Sequence, residues 1–277
     1  MMFLNRAILL GLVFLLAAGC TNQSTSQGTA ASPSPSAASA LISAPASAVA
    51  VTSPVAAAPS VQVAFTDIAG VYGEQAIRDE ATLGILDSTS GTFQPNAPIS
   101  RALFVRWLVK ANNVYYGNRA ASQIRLAQTG NPTFVDVPAA NADFQYIQGL
   151  ANAGYVIGVD ATHFAPSRLL TREEMVAIKA PLDSAPTLPS YASSDIPFSD
   201  AAKVSKPYRA AIGADVAASG GNWAYTSGNL GRVYGTLKTL QPQKTVTRSE
   251  AAIALSAVGV GNSAPSASAA LGRTPPP

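Results

Sequence analysis

One order of signals occurs three times between Phe65 and Glu250: Phe-x-Asp, an apolar stretch, Gly, an x-Pro turn, and Ser/Thr-Arg. Self-similarity at a roughly constant period admits few architectures other than stacked or closed repeats. The clearest copy opens Phe134-Val-Asp136, passes Ile147 and Gly154, turns at Phe164-Ala-Pro166 and closes on Leu170-Thr171-Arg172-Glu173-Glu174. Upstream the signals are Phe65-Thr-Asp67, Ile77, Gly84, Phe93-Gln-Pro95 and Ile99-Ser100-Arg101-Ala102. Downstream they are Phe198-Ser-Asp200, Ile212, Gly220, Leu240-Gln-Pro242 and Val246-Thr247-Arg248-Ser249-Glu250. The residue opening the turn precedes the Arg by 8 positions in every copy. From opening Phe to Arg the copies measure 36, 38 and 50 residues, so the third carries an insertion, at about 220–240, containing Trp223, Tyr225 and Tyr234.

Each copy reads as helix, loop, helix. Tyr72 to Leu83 precedes Gly84, which suits a left-handed helix end. Ser100 to Lys110 places Leu103, Phe104, Trp107 and Leu108 at helical spacing. Phe144 to Ala153 precedes Gly154, Thr171 starts a helix through Lys179, Pro207 suits the first turn of one reaching Ala218, and Thr247 starts the last. The class is all-α, with short extended pieces at the loops. Phe65, Phe134, Phe198 and Trp107 are expected in the core, and Asp67, Asp136 and Asp200 are expected to cap the helix or turn that follows.

The closing segments carry chemistry as well as structure. Thr171-x-x-Glu174 and Thr247-x-x-Glu250 are capping boxes; Ser100 supplies half of one, because Leu103 replaces the acid. An Arg at the first helical position opposes the helix dipole, which favours anions there. Two arrangements resolve this: an ion pair with Asp67, Asp136, Asp200 or a neighbouring carboxylate, or a pocket in which Arg and free helix N–H groups bind an external anion.

These motifs resemble the S-layer homology module, over roughly residues 65–259. Leu103 and Leu240 depart from its pattern, which usually has Glu and Phe there. The resemblance implies a pseudo-threefold helical module of three repeats, at 65–113, 134–183 and 198–259, with grooves between arms. It further implies that Arg101, Arg172 and Arg248, with Ser100, Thr171 and Thr247 beside them, bind an acidic, pyruvate-modified cell-wall secondary polysaccharide or peptidoglycan-linked polymer. Trp223, among Gly, Asn and Tyr, is a further candidate for stacking on a sugar ring.

The N-terminal residues 1–19 read as an export signal: Arg6, then the apolar run Ala7 to Ala18, too short to span a bilayer. Leu16-Ala17-Ala18-Gly19-Cys20 resembles a bacterial lipobox, which implies lipid on Cys20 and membrane anchoring. Cys20 is the single cysteine, so neither an intramolecular disulfide nor a cysteine metal site exists. Residues 21–64 have no charged and no aromatic side chain, and with Cys20 they read as a disordered Ala/Ser/Pro/Thr linker over 20–64. As a coil it spans ~35–40 Å, and fully extended about 150 Å. The tail, 260–277, reads as disordered.

Composition narrows the function. Charged residues are 12% of the chain, and after Arg6 leaves with the signal 17 basic face 15 acidic residues, too few and too scattered for nucleic acid. His163 is the single histidine, and Glu173 and Glu174 are adjacent rather than opposed, so no catalytic residue, metal or cofactor is expected. The reading is a non-catalytic envelope lipoprotein tethering membrane to cell wall, at the periplasmic face of the outer membrane if the cell has two. A structural lipoprotein whose degenerate grooves dock a protein partner is the alternative.

Overall fold

The computed structural model describes residues 61–155, 158–184, 188–218, 228–259 and 264–273, all within the unit 56–277. The expected signal, Cys20, most of the linker and Trp223 lie outside the described residues.

Helices supply nearly all the regular structure. The chain runs through strand β1 (Ala64–Phe65), helix α1 (Glu74–Thr82), strand β2 (Ser90–Gly91) and α2 (Arg101–Tyr115). It continues through α3 (Phe144–Asn152), α4 (Arg172–Asp183), α5 (Arg209–Ala218), α6 (Asn229–Tyr234), α7 (Arg248–Leu255) and α8 (Ala267–Ala270). The two strands pair in parallel, Ala64 with Ser90 and Phe65 with Gly91.

Local sequence explains the boundaries. α1 and α3 end on Gly84 and Gly154, at φ 69° and 83°, a backbone conformation that costs glycine little. Beyond each, the Ile85 and Tyr155 N–H groups reach back to Glu80 and Leu150 carbonyls at 2.9 and 3.1 Å, closing the last turn. Ser100, Thr171 and Thr247 stand in extended conformation immediately before α2, α4 and α7.

The core is continuous. Ile77, Trp107, Phe104, Ile147, Phe164, Leu170, Ile178, Ile212 and Leu255 are all sealed from solvent. Phe65, Phe134 and Phe198 join them as expected, and Phe93 stacks on Trp107 with ring centroids 6.0 Å apart. Each such side chain contributes ~1.5–3 kcal/mol by leaving water.

Hydrogen bonds of one type recur in three places and close a ring. Ile99 N–H donates to Val246 O at 3.0 Å, Val246 N–H to Leu170 O at 2.9 Å, and Leu170 N–H to Ile99 O at 2.9 Å. Each residue is buried, so three extended segments satisfy one another where no water reaches.

Two features differ from the sequence reading. Residues 264–273 are ordered where a disordered tail is expected: Ala257 and Ser266 form a bridge, Ser266 Oγ caps α8, Ala267 is buried, and Arg273 pairs with Asp79. Small side chains there pack closely, which composition alone disguises as linker. The third copy's insertion holds α6, whose Asn229, Leu230 and Val233 are buried.

Candidate functional site

The three x-Pro turns are built identically. Asp67 accepts hydrogen bonds from Phe93 N–H and Gln94 N–H, both at 2.7 Å. Asp136 accepts from Phe164 N–H and Ala165 N–H at 2.9 and 2.7 Å. Asp200 accepts from Leu240 N–H and Gln241 N–H at 2.8 and 2.9 Å. The second residue of each pair has positive φ: 59° at Gln94, 57° at Ala165 and 54° at Gln241. These aspartates therefore do not cap the element that follows them. They clamp a turn 26 to 41 residues away, holding it in the left-handed conformation by charge-assisted hydrogen bonds. The Phe93 and Gln94 N–H groups also hold Asp67 below the usual carboxylate range, the Phe93 bond contributing most, against partial desolvation.

The clamped turns meet the starts of α2, α4 and α7. Arg101 N–H and Ala102 N–H donate to Arg168 O and Pro166 O; Arg172 N–H and Glu173 N–H donate to Lys244 O and Pro242 O. Arg248 N–H and Ser249 N–H donate in turn to Ala97 O and Pro95 O. Two of the backbone donors that a helix start leaves open are thus occupied by carbonyls of a neighbouring turn. The third donor goes to the capping hydroxyl in two cases, Leu103 N–H to Ser100 Oγ and Glu250 N–H to Thr247 Oγ1. Thr171 Oγ1 is instead buried without a hydrogen-bond partner among the described residues, although Thr171 N–H reaches Glu174 Oε2 at 3.1 Å. At all three starts the first two helix N–H groups are spent on internal carbonyls, so among the described residues these six donors are not open to an external anion.

Two S-layer homology domain matches cover residues 64–102 and 133–176. Each spans a Phe-x-Asp opening, its clamped turn and the closing Arg. Cell surface glycoprotein 1 of Acetivibrio thermocellus is 28% identical over 132 residues, which is 45% of this chain and 6% of that protein. Both matched stretches end before the third segment, where Leu240 replaces the turn Phe and α6 is inserted.

Within and beyond the S-layer homology stretches, the three arginines have different surroundings. Arg101 Nε donates to Phe164 O at 2.8 Å, its guanidinium lies 4.6 Å from the Phe164 ring centroid, and Nη1 is 3.2 Å from Glu174 Oε1. Arg168 closes on the same carboxylate from outside. Arg172 donates to Leu240 O at 3.1 Å, lies 3.9 Å from the Tyr234 ring centroid and reaches Glu250 Oε1 at 3.5 Å. Both arginines are buried. At these two positions the ion-pair arrangement is the one present, and its partner is the capping glutamate of the next copy.

Arg248 is half-buried. Its Nε donates to Phe93 O at 2.7 Å, and its guanidinium lies 4.7 and 5.0 Å from the Phe93 and Trp107 ring centroids. No carboxylate stands within ion-pair distance of it among the described residues, and all 15 Asp and Glu side chains of the chain are described. The reason is legible in the repeat register. Where Glu174 serves Arg101 and Glu250 serves Arg172, the corresponding residue for Arg248 is Leu103. Arg168, Lys244 and Ala97 each lend a backbone carbonyl, and Arg168 adds a guanidinium to the Glu174 carboxylate. Burial lowers the Arg248 pKa, with Asp87 and Asp67 acting in the opposite direction, and a guanidinium remains charged at neutral pH.

His163 is exposed beside Asp160, its Nδ1 3.1 Å from Oδ2. Among the described residues no group of three acidic, His or Cys side chains could hold a metal, and no helix there is long and apolar enough to cross a membrane. Trp107 is fully buried, with Nε1 3.3 Å from Asp87 Oδ2, so its indole edge and its face over Arg248 are both fixed. The role of Trp107 and Phe93 as a platform for Arg248 is absent from the sequence reading, because the two rings and the cation come from opposite ends of the chain.

Proposed function

We propose that this chain is a non-catalytic envelope protein that binds an acidic cell-wall polymer through S-layer homology repeats. In this reading the three copies form one pseudo-threefold module, with helix pairs radiating from the ring of Ile99, Leu170 and Val246. Lipid on Cys20 and the linker that follows would hold the module to a membrane, so that the protein tethers membrane to wall, at the outer membrane's periplasmic face in a two-membrane cell. The ligand is a pyruvylated-type polysaccharide or another peptidoglycan-linked polymer presenting carboxylates.

The observation carrying this reading is Arg248. Its guanidinium is held in place by Phe93 O and two aromatic faces, and it has no internal carboxylate. Arg101 and Arg172 are supplied with one each. A preorganised guanidinium lacking its anion is suited to a carboxylate brought by a ligand. Binding is therefore assigned foremost to the groove of Arg248, beside Ser100 of the first copy, with Arg101, Arg172, Thr171 and Thr247 shaping the other two.

Co-sedimentation of the full chain with cell-wall sacculi, intact or stripped of secondary polysaccharide, tests the proposal. Sedimentation with intact sacculi, its loss on stripping, and its loss in a folded Arg248→Ala variant are expected. Sedimentation unaffected by either change overturns it. A second reading, a structural lipoprotein docking a protein partner, draws on an apolar cleft of about 230 Å3 between α2 and α3, lined by Val109, Val114, Leu126 and Tyr146. It gains ground if Arg248→Ala leaves sacculus binding intact.

A further inference from the structure

The three segments differ in charge. Residues 65–113 carry 4 Lys and Arg against 5 Asp and Glu, residues 134–183 carry 3 against 6, and residues 188–259 carry 7 against 4. The excess of the last segment lies at its surface, in Lys203, Lys206, Lys238 and Lys244, all exposed.

Hydrogen bonds place these lysines along one edge. Ser199 N–H donates to Lys238 O at 3.0 Å, and Lys203 N–H donates to Asp200 O at 2.9 Å. Asp200 clamps the turn at Leu240 and Gln241, whose Gln241 O accepts from Lys244 N–H at 2.9 Å. Ser205, next to Lys206, and Gln243, next to Lys244, converge on Glu173 at 2.7 and 2.6 Å.

The acids of this edge are taken up by local hydrogen bonds. Asp200 is taken up by two turn N–H groups, and Glu173, buried, by Ser205 and Gln243. Asp195, the exposed carboxylate among the described residues of 188–259, is turned onto Ala192 N–H at 2.9 Å. None of the four lysines has a carboxylate within ion-pair distance among the described residues, and no Asp or Glu lies outside them. Elsewhere Arg78, Arg106, Lys110 and Lys179 all have such partners.

We propose that Lys203, Lys206, Lys238 and Lys244 form an electrostatic strip for a polyanionic glycan chain, one bearing carboxylate or phosphate groups at intervals. The strip rests on the wall-polymer reading for its biological context but is a contact separate from the Arg248 groove. It adjoins the start of α4, since Lys244 O accepts from Arg172 N–H. Lysines carry mobile point charges rather than fixed forks, which suits a flexible chain of unspecified register. The intervening exposed residues, Thr239, Gln241 and Thr245, offer hydroxyls and an amide to sugar hydroxyls. A lipid surface fits less well: among the described residues the exposed large apolar side chains, Val61, Tyr72, Val114, Val135 and Leu169, all lie outside this segment, so no described residue there would insert between headgroups.

The test uses the full chain with fluorescent polygalacturonate, inorganic polyphosphate and phosphatidylglycerol vesicles, between about 50 and 200 mM salt. Replacing the four lysines by Gln is expected to weaken binding of the two polymers ~30-fold or more at the lower salt and to flatten the log-affinity against log-salt slope by about 3. Arg119→Gln with Arg125→Gln, two exposed cations elsewhere, serves as the control and is expected to change little. Arg248→Ala is expected to retain this salt-sensitive polymer binding while losing sacculi, so the two sites fail separately. Equal polymer binding by parent and fourfold variant overturns the strip. Lysine-dependent binding to vesicles without binding to either polymer overturns the glycan assignment.

Discussion

Arg101 Nη1 lies 3.2 Å from Glu174 Oε1, with the two side chains 1% and 3% exposed, so a buried ion pair joins the first copy of the pattern to the second. Removing one partner from such a pair strands the other charge, at ~3–5 kcal/mol. Arg101→Ala is expected to destabilise by that order in urea unfolding. Replacing both residues by Leu should cost far less, since the pair's desolvation is relieved together with its attraction. The chain itself already carries Leu103 at the position equivalent to Glu174.

The aspartate clamps make a second expectation. Asp136→Ala leaves Phe164 N–H and Ala165 N–H without their acceptor, and two charge-assisted hydrogen bonds amount to ~3–6 kcal/mol. Ala165→Gly relieves a residue at φ 57° and is expected to stabilise by about 1 kcal/mol. A Tm series over parent, D136A and A165G reads both; an A165G variant less stable than the parent contradicts the strain.

Glu80 contributes to the pH response. It occupies the position four before Gly84, where the second copy has Leu150, and neither carboxylate oxygen has a hydrogen-bond partner among the described residues. Burial pushes its pKa well above 4.5, with Asp79 adding to the rise and Lys179 opposing it. A carboxyl raised in the folded state contributes fully below its unfolded pKa, and that contribution fades as pH rises through the folded value. The Glu80 contribution is thus expected to fade from about pH 4.5 upward, so Glu80→Leu should gain on the parent as pH rises and raise the neutral-pH Tm. The check is urea unfolding of parent and variant across that range; parallel profiles contradict the assignment.

The helices were legible because apolar spacing, Gly84, Gly154 and the Ser/Thr starts are local signals. Arg101 and Arg172 as charged partners of neighbouring glutamates were one of two arrangements the sequence allowed, since nothing local says which turn meets which helix start. The clamps are not legible locally, because Asp67 bonds residues 26 and 27 positions ahead, whereas a capping rule reaches only the next few residues. α8 was hidden by its Ala and Ser, which resemble linker until Ala267 is seen buried against the helices.

The most direct measurement concerns Leu103. Glutamate there completes the capping box that Ser100 begins and places a carboxylate in the repeat position facing Arg248, as Glu174 and Glu250 face Arg101 and Arg172. Folding should be unharmed, and an internal charged hydrogen bond of ~1.5–3 kcal/mol should compete with the ligand for Arg248. Sacculus binding by a folded Leu103→Glu protein is predicted to fall about tenfold or more. Binding equal to the parent's, with the fold and Tm preserved, would contradict the claim that Arg248 is the open anion site.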